Sequence, residues 1–291
     1  MNVFELLITT PLGYIISAIY HVVPNYGWTI ILFTIIVKLL MSPLAIKQQK
    51  SMTKMQKVKP LLEHLQEKYK DDPNRLNQET MKMYKEMGVS PAGGCLPLLI
   101  QFPILIGLYQ VINKPLTFIM HLPADIVEKL TQMYGTVENA KNVAAQIEIC
   151  SKLDPAVVQQ KLGVTVEKLN FWFCGLDLSQ KPELMYLNWL WLIPILSAAT
   201  AYLSSYIMQK LQGTTVQQEG TMKTMNMIMP LMSAYFCFIL PAGVGIYWVM
   251  SNIVQIIQTL VLNKIFAAKK QEDEIDVNEY FKKDRSNRKK H

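Results

Sequence analysis

Across the first 37 residues there is no lysine or arginine; Lys38 is the first. The chain therefore lacks the positively charged lead segment of a secretory signal peptide. Charge is scarce elsewhere too. Only 18% of the 291 residues are charged, against roughly 25% in an ordinary soluble domain. Catalytic signatures are missing as well. The four histidines (His21, His64, His121, His291) form no HExxH, and neither GxSxG nor a GxxxxGK[ST] phosphate loop occurs. The expectation is a non-enzyme without cofactor or metal, whose work draws on binding and membrane energetics. Four cysteines (Cys95, Cys150, Cys174, Cys237) show no CxxC spacing. Cys150 and Cys174 share one hydrophilic loop, where a disulfide and two simple thiols both remain open. No internal repeat is visible, which weighs against transporters built from paired repeats.

Long apolar runs are abundant. They fill about 27–46, 95–113, 186–208, 225–242 and 244–262 in a chain that is 51% hydrophobic. Each is close to the ~20 residues that cross a bilayer. That excludes a soluble globular enzyme. The net charge of +7 lies between these runs rather than on a basic domain, which excludes a nucleic-acid-binding protein.

The charges sort by segment. Residues 47–88 carry ten Lys/Arg against six acids, 116–185 six against eight, and the tail from 263 nine against six. Basic residues beside spans stay in the cytoplasm. The fold class expected is an all-α integral membrane protein with five transmembrane helices, N-terminus outside and C-terminus cytoplasmic. Its predicted order starts with an N-terminal interfacial helix outside (1–24), a first span (25–46) and a cytoplasmic amphipathic helical hairpin (47–89). A second span (90–115), an extracytoplasmic loop (116–185), a third span (186–208) and a cytoplasmic loop (209–224) follow. The fourth (225–243) and fifth (244–262) spans and a basic cytoplasmic tail (263–291) complete it. Residues 3–23 read as interfacial rather than spanning because Thr9, Thr10, Pro11 and Gly13 interrupt the apolar pattern.

Lys38 is the most informative residue. It lies nine positions before Lys47, roughly 13 Å into a continuous helix at about 1.5 Å per residue. A cation at such depth faces a bundle interior or a water-filled cavity. The plainer alternative is snorkelling, which an extended lysine achieves only in part from there. Other polar residues fall on helix faces. Ser197, Thr200, Ala201 and Ser204 form one stripe, Trp248, Asn252, Gln255 and Thr259 another, and Gln101 stands between Pro97 and Pro103. Interhelical packing explains such residues as readily as a hydrophilic surface does. Beside Lys38 they begin to describe a wet groove.

Ten of the seventeen methionines cluster in two places. Met222, Met225, Met227, Met229 and Met232 enter the fourth span; Met52, Met55, Met81, Met83 and Met87 lie in the hairpin. Met makes adaptable apolar surfaces, so the hairpin set reads as a client-capture surface or as ordinary core. In the hairpin, Met52, Met55, Leu62, Leu65 and Tyr69 recur at helical spacing before Asp71-Asp72-Pro73-Asn74. Leu76, Thr80, Met83, Tyr84 and Met87 do so after it, Pro60 predicts a kink, and Gly88 is a plausible cap. In the extracytoplasmic loop, 124–170 reads as helical and Phe171-Trp172-Phe173 as resting at the outer interface.

Several segments resemble the YidC/Oxa/Alb family of membrane protein insertases. Phe33 to Gln48 (FTIIVKLLMSPLAIKQ) is similar to the family's first core span, and Gly93 to Ile104 (GGCLPLLIQFPI) to its second. Leu176 to Ser179 (LDLS), Phe238 to Trp248 (FILPAGVGIYW) and Ser251-Asn252 fit the later spans. The match runs in order over most of 25–265 and resembles the short bacterial forms. It departs in carrying Lys38 where the family often has Arg, losing the planar fork but keeping the charge. It also carries Ser204 where a Gln is frequent.

The resemblance implies five helices around a hydrophilic groove that is open to cytoplasm and lipid and closed outside. Lys38, Gln101, Ser197, Thr200, Ser204, Trp248, Asn252 and Gln255 would line it. It implies an insertase and folding chaperone of the bacterial plasma membrane, acting alone or with the Sec translocon. The partners implied are nascent membrane proteins, the lipid bilayer and, through the basic tail, the ribosome. Lys38 would draw in acidic client tails, and apolar client segments would move along the third and fifth spans. Two rival readings are a small-solute or ion transporter with an intramembrane lysine, and an assembly factor beside a secretion channel.

Overall fold

The computed structural model describes residues 2–89, 96–135, 145–183, 185–212, 228 and 230–267. By its contacts the chain forms two compact units. One comprises Met1–Leu40, Leu98–Ala201 and Met229–Val254; the other Met41–Pro97, Tyr202–Ile228 and Gln255–His291.

Each of the five apolar runs contains a helix among the described residues. These helices are α2 (Tyr26–Leu40), α6 (Leu96–Asn113), α11 (Leu192–Gln212), α12 (Pro230–Ile239) and α13 (Ala242–Ala267). Trp189–Leu211 and Ala242–Phe266 are long and apolar enough to cross a bilayer singly. No more than about a third of either is buried inside the protein, as expected where lipid is the solvent. The N-terminal segment Glu5–Val22 also passes that test of length and composition.

In the first unit, a π-turn (Glu5–Thr9) leads into α1 (Thr10–Val22). Lys114, just past the end of α6, is 3.4 Å from Glu5, and Thr9 donates to Gln110 at 3.0 Å. At the other end, the Tyr20 hydroxyl accepts the Asn170 amide at 2.7 Å, and the Asn170 carbonyl accepts the Tyr26 amide at 2.9 Å. Close approach needs glycine at several points, two of them beside the N-terminal helices. A Cβ on Gly13 would collide with the Phe118 carbonyl, and one on Gly27 with the Phe173 ring.

The loop predicted as helical over 124–170 contains α8 (Ala124–Tyr134), α9 (Ala145–Lys152) and α10 (Pro155–Leu162), preceded by the short α7 (Pro115–Phe118). Leu116, Leu130, Ile147, Ile149 and Val158 form its buried interior. From Gly163 to Asn188 the described residues are not helical, so the helical reading fails over 163–170. This stretch includes a two-residue antiparallel pair, β1 (Trp172–Phe173) with β2 (Leu176–Asp177), the one departure from all-α among the described residues. Its turn uses positive φ at Cys174 and Gly175. Leu178 then accepts the Gly243 amide at 3.1 Å and Gln180 the Ala242 amide at 2.8 Å, tying this hairpin to the start of α13. Cys150 and Cys174 are both free thiols, the first buried and the second exposed. Burial pushes the Cys150 thiol up from its ordinary range, which keeps it protonated and inert.

In the second unit lie α3 (Ser42–Lys57), α4 (Lys59–Lys68) and α5 (Pro73–Glu86), the last two packed as a helical hairpin. The break at Val58 precedes Pro60, whose ring disfavours a continuous helix. Asp72 caps α5 by accepting the Arg75 amide at 3.0 Å, and Gly88 takes φ +59° after its end. Leu61, Leu62 and Leu65 pack against Leu76, Met83 and Tyr84, with Met55, Tyr69 and Met87 at the margin.

The first apolar run does not form one straight helix; α2 and α3 are bent by 58° at the break between them. Helix α2 stops at Leu40 and a new helix starts at Ser42, with Pro43 in its first turn. Lys38 therefore lies in the last turn of α2, and the depth counted along one helix from Lys47 does not hold. Similarly, residues 186–188 are not helical, and the third span begins at Trp189.

Candidate functional site

In the first unit, three helices bring polar side chains together. Lys38 on α2 donates to the Gln101 carbonyl oxygen of α6 at 3.5 Å. The Gln101 amide nitrogen in turn donates to the Tyr247 hydroxyl of α13. Tyr247 is buried, with the Ser251 hydroxyl as a polar neighbour one turn along. A chain of hydrogen bonds thus leads from a cation through an amide to a phenol inside an apolar bundle. Each member needs the others, because an unpaired polar group in such surroundings costs several kcal/mol.

A second pair joins α11 and α13, where the Asn252 amide donates to Thr200 Oγ1 at 3.1 Å. Thr200 also donates to the Leu196 carbonyl at 2.7 Å. Ser197 is fully buried beside the Cys237 thiol.

The remaining expected residues lie elsewhere. Trp248 stacks on Phe236 at 5.8 Å and so packs as an apolar residue rather than joining the Lys38 chain. Ser204 and Gln255 belong to the second unit. There Gln255 reaches Thr259 at 3.4 Å and lines a recess with Gln48, Gln49 and Met52 whose volume is only about 10 Å³, the scale of a single water probe. Tyr247 was missed from the sequence. The polar stripe through Asn252 pointed to Trp248, one residue and about 100° away on the helix; the signal for Tyr247 was its own i, i+4 relation to Ser251.

The five hairpin methionines do not form one exposed surface. Met83 is 1% exposed and belongs to the core between the two arms, and Met52 is buried. Met55 and Met87 pack at the margin of that core, while Met81 is 62% exposed. The helical spacing that marked an apolar face was satisfied inside the hairpin. Met222, Met225, Met227, Met229, Cys95 and the tail beyond 267 lie outside the described residues.

These features define a multi-pass integral membrane protein whose helices carry a partly buried chain of hydrogen-bonded polar groups. Residues 18–270 match the family model described as 60Kd inner membrane protein. Membrane protein insertase YidC of Clostridium perfringens is 32% identical over 95% of this chain and 96% of its own length. Its namesake from Caldanaerobacter subterraneus is 32% identical over 86% and 91%. Membrane protein insertase YidC 2 of Listeria innocua is 32% identical over 86% and 68%. The chain belongs to the YidC/Oxa1 family of membrane protein insertases, a family of non-enzymatic membrane proteins, and these three relatives are bacterial.

Proposed function

We propose that this chain passes newly made membrane-protein segments into the bacterial plasma membrane, and that the polar chain through Lys38, Gln101 and Tyr247 eases the passage of their hydrophilic tails. The physical obstacle is the ~30 Å hydrocarbon layer, in which a tail loses its hydrogen-bonding partners. A cation and an amide set among the spans offer replacements part of the way. Lys38 attracts acidic residues, the Asn252–Thr200 pair extends the polar surface, and no covalent bond is made or broken. Release into lipid is driven by burial of the client's apolar segment. The observation that carries this reading is the Lys38–Gln101–Tyr247 connection across three helices.

The orientation proposed is N-terminus outside and hairpin and tail in the cytoplasm. The excess of basic residues in 47–88 and after 263 supports it. The contacts of the N-terminal helix support its interfacial reading. Spanning would separate its ends by about 27 Å along the normal. Yet Glu5 meets the residue that follows α6, and Tyr20 meets the segment bonded to the start of α2. Those two points lie on one side if α2 and α6 are consecutive spans. Met81 supplies an exposed apolar contact for arriving clients on the hairpin. Cooperation with the Sec translocon, and ribosome contact through the basic tail, belong to the same reading.

The test is insertion into liposomes containing only the purified chain, scored by protease protection of a single-span client with an acidic external tail. Protection above empty liposomes supports autonomous insertion. No protection, with solute leakage into the same vesicles, would favour a transporter instead.

A further inference from the structure

Immediately before α11, the segment Met185–Trp189 presents an unusual surface. Met185, Tyr186, Leu187 and Trp189 are between 70% and 89% exposed. Leaving a large apolar side chain in water forgoes about 1.5–3 kcal/mol of burial, and soluble surfaces seldom gather several together. The segment is nonetheless pinned. The Trp191 indole turns inward, where Nε1 donates to the Glu183 carbonyl at 2.8 Å and the Tyr186 carbonyl at 3.2 Å. Its ring packs edge-on against Phe238 at 4.8 Å. Asn188 accepts the Leu190 amide at 3.1 Å, starting the helical turn.

We infer that Met185–Trp189 is a lipid-anchoring strap, held in shape by Trp191, whose side chains enter the headgroup–acyl boundary of the bilayer. Three observations identify the occupant as lipid rather than protein. The exposed surface continues directly into Leu192, Ile195 and Leu196, the exposed face of a membrane-spanning helix. Tyr and Trp, which carry an apolar body and a polar tip, are the residues that favour this layer. Trp172, also exposed, gives the same unit a second aromatic there, and its carbonyl accepts the Asn25 amide beside the start of α2 at 2.9 Å. The strap thereby fixes the depth at which α11 enters the membrane. This inference rests on α11 being a span and is independent of the insertion activity.

A nitroxide attached at Leu187→Cys, with the native cysteines replaced, tests it in vesicles of phosphatidylethanolamine and phosphatidylglycerol that hold no other protein. Collision with oxygen should exceed collision with an aqueous nickel chelate, as at Ile195→Cys and opposite to Asp154→Cys in the exposed loop. A label at Met185→Cys should behave alike, which guards against a local defect at 187. Trp191→Phe, which removes both clasping bonds but keeps an aromatic ring, should leave the label in contact with lipid and raise its mobility. Preference for nickel at both sites would put the strap in water and overturn the proposal. Shielding from both reagents would place it against protein and overturn it equally.

Discussion

Lys38 Nζ stands 3.5 Å from the carbonyl oxygen of Gln101, a neutral partner rather than a carboxylate. An amide oxygen carries no net charge, so this hydrogen bond positions the cation without cancelling its attraction for an incoming acid. The amide is itself held by Tyr247, so the cation's position depends on a residue more than 200 positions away in the chain.

Tyr247→Phe should therefore act through Gln101. It removes the hydroxyl and leaves the ring, so packing is kept while one buried hydrogen bond is lost. About 1 kcal/mol of stability should go, with insertion of acidic-tailed clients reduced a few-fold. Gln101→Leu, which breaks both links, should cost more. Thermal unfolding in detergent and insertion in liposomes check the two effects; Tyr247→Phe behaving as the parent in both would show that the hydroxyl does not hold the amide.

Gly27→Ala should lower thermal stability more than an alanine at an exposed helical position. The new Cβ meets the Phe173 ring, and overpacking of this kind costs about 1–3 kcal/mol. A melting temperature equal to the parent's would mean that the β1–β2 hairpin moves aside freely.

The hairpin methionines should separate by burial. Met83→Ala opens a cavity in the core between α4 and α5 and should cost about 2–5 kcal/mol, seen as faster proteolysis within 59–86. Met81→Ala should leave proteolysis unchanged, since exposed substitutions usually stay within about 0.5 kcal/mol. It should weaken crosslinking of a client to the hairpin. Equal proteolysis of the two variants would contradict the packing described.

The two loop thiols should differ in reactivity. A membrane-impermeant maleimide added from outside should modify exposed Cys174 in native vesicles and reach buried Cys150 only after denaturation. Mass mapping of the labelled peptides decides it, and a disulfide-linked peptide pair would overturn the free-thiol state.

Much of this arrangement was legible in the sequence because the signals were local. Asp72-Pro73 and Gly88 bound the second hairpin helix through capping chemistry that reads the same in any context. The run of charges around 47–88 marked a segment distinct from the apolar runs. Lys38 and Gln101 stood out because each is polar within an apolar stretch. What was not legible depends on partners distant in sequence. A period of three to four residues reports that a face is apolar, not whether its own hairpin covers it, so Met83 read equally as client-capture surface and as core. Tyr247 and Trp248 are neighbours in sequence, and only the position of α6 decides which one meets Gln101. The break at Met41 was marked by Ser42-Pro43, yet the continuous apolar run through it suggested one unbroken span.

Whether the charge of Lys38 lowers the barrier for acidic tails is decided by a charge-matched comparison. Protease protection would be measured in liposomes for the parent, Lys38→Arg and Lys38→Ala, each with two otherwise identical clients whose external tails are acidic or neutral. Arg should retain most insertion of the acidic client. Ala should slow it roughly tenfold, equivalent to about 1.4 kcal/mol, while changing the neutral client far less. Equal insertion of both clients by all three proteins would contradict the electrostatic role of Lys38.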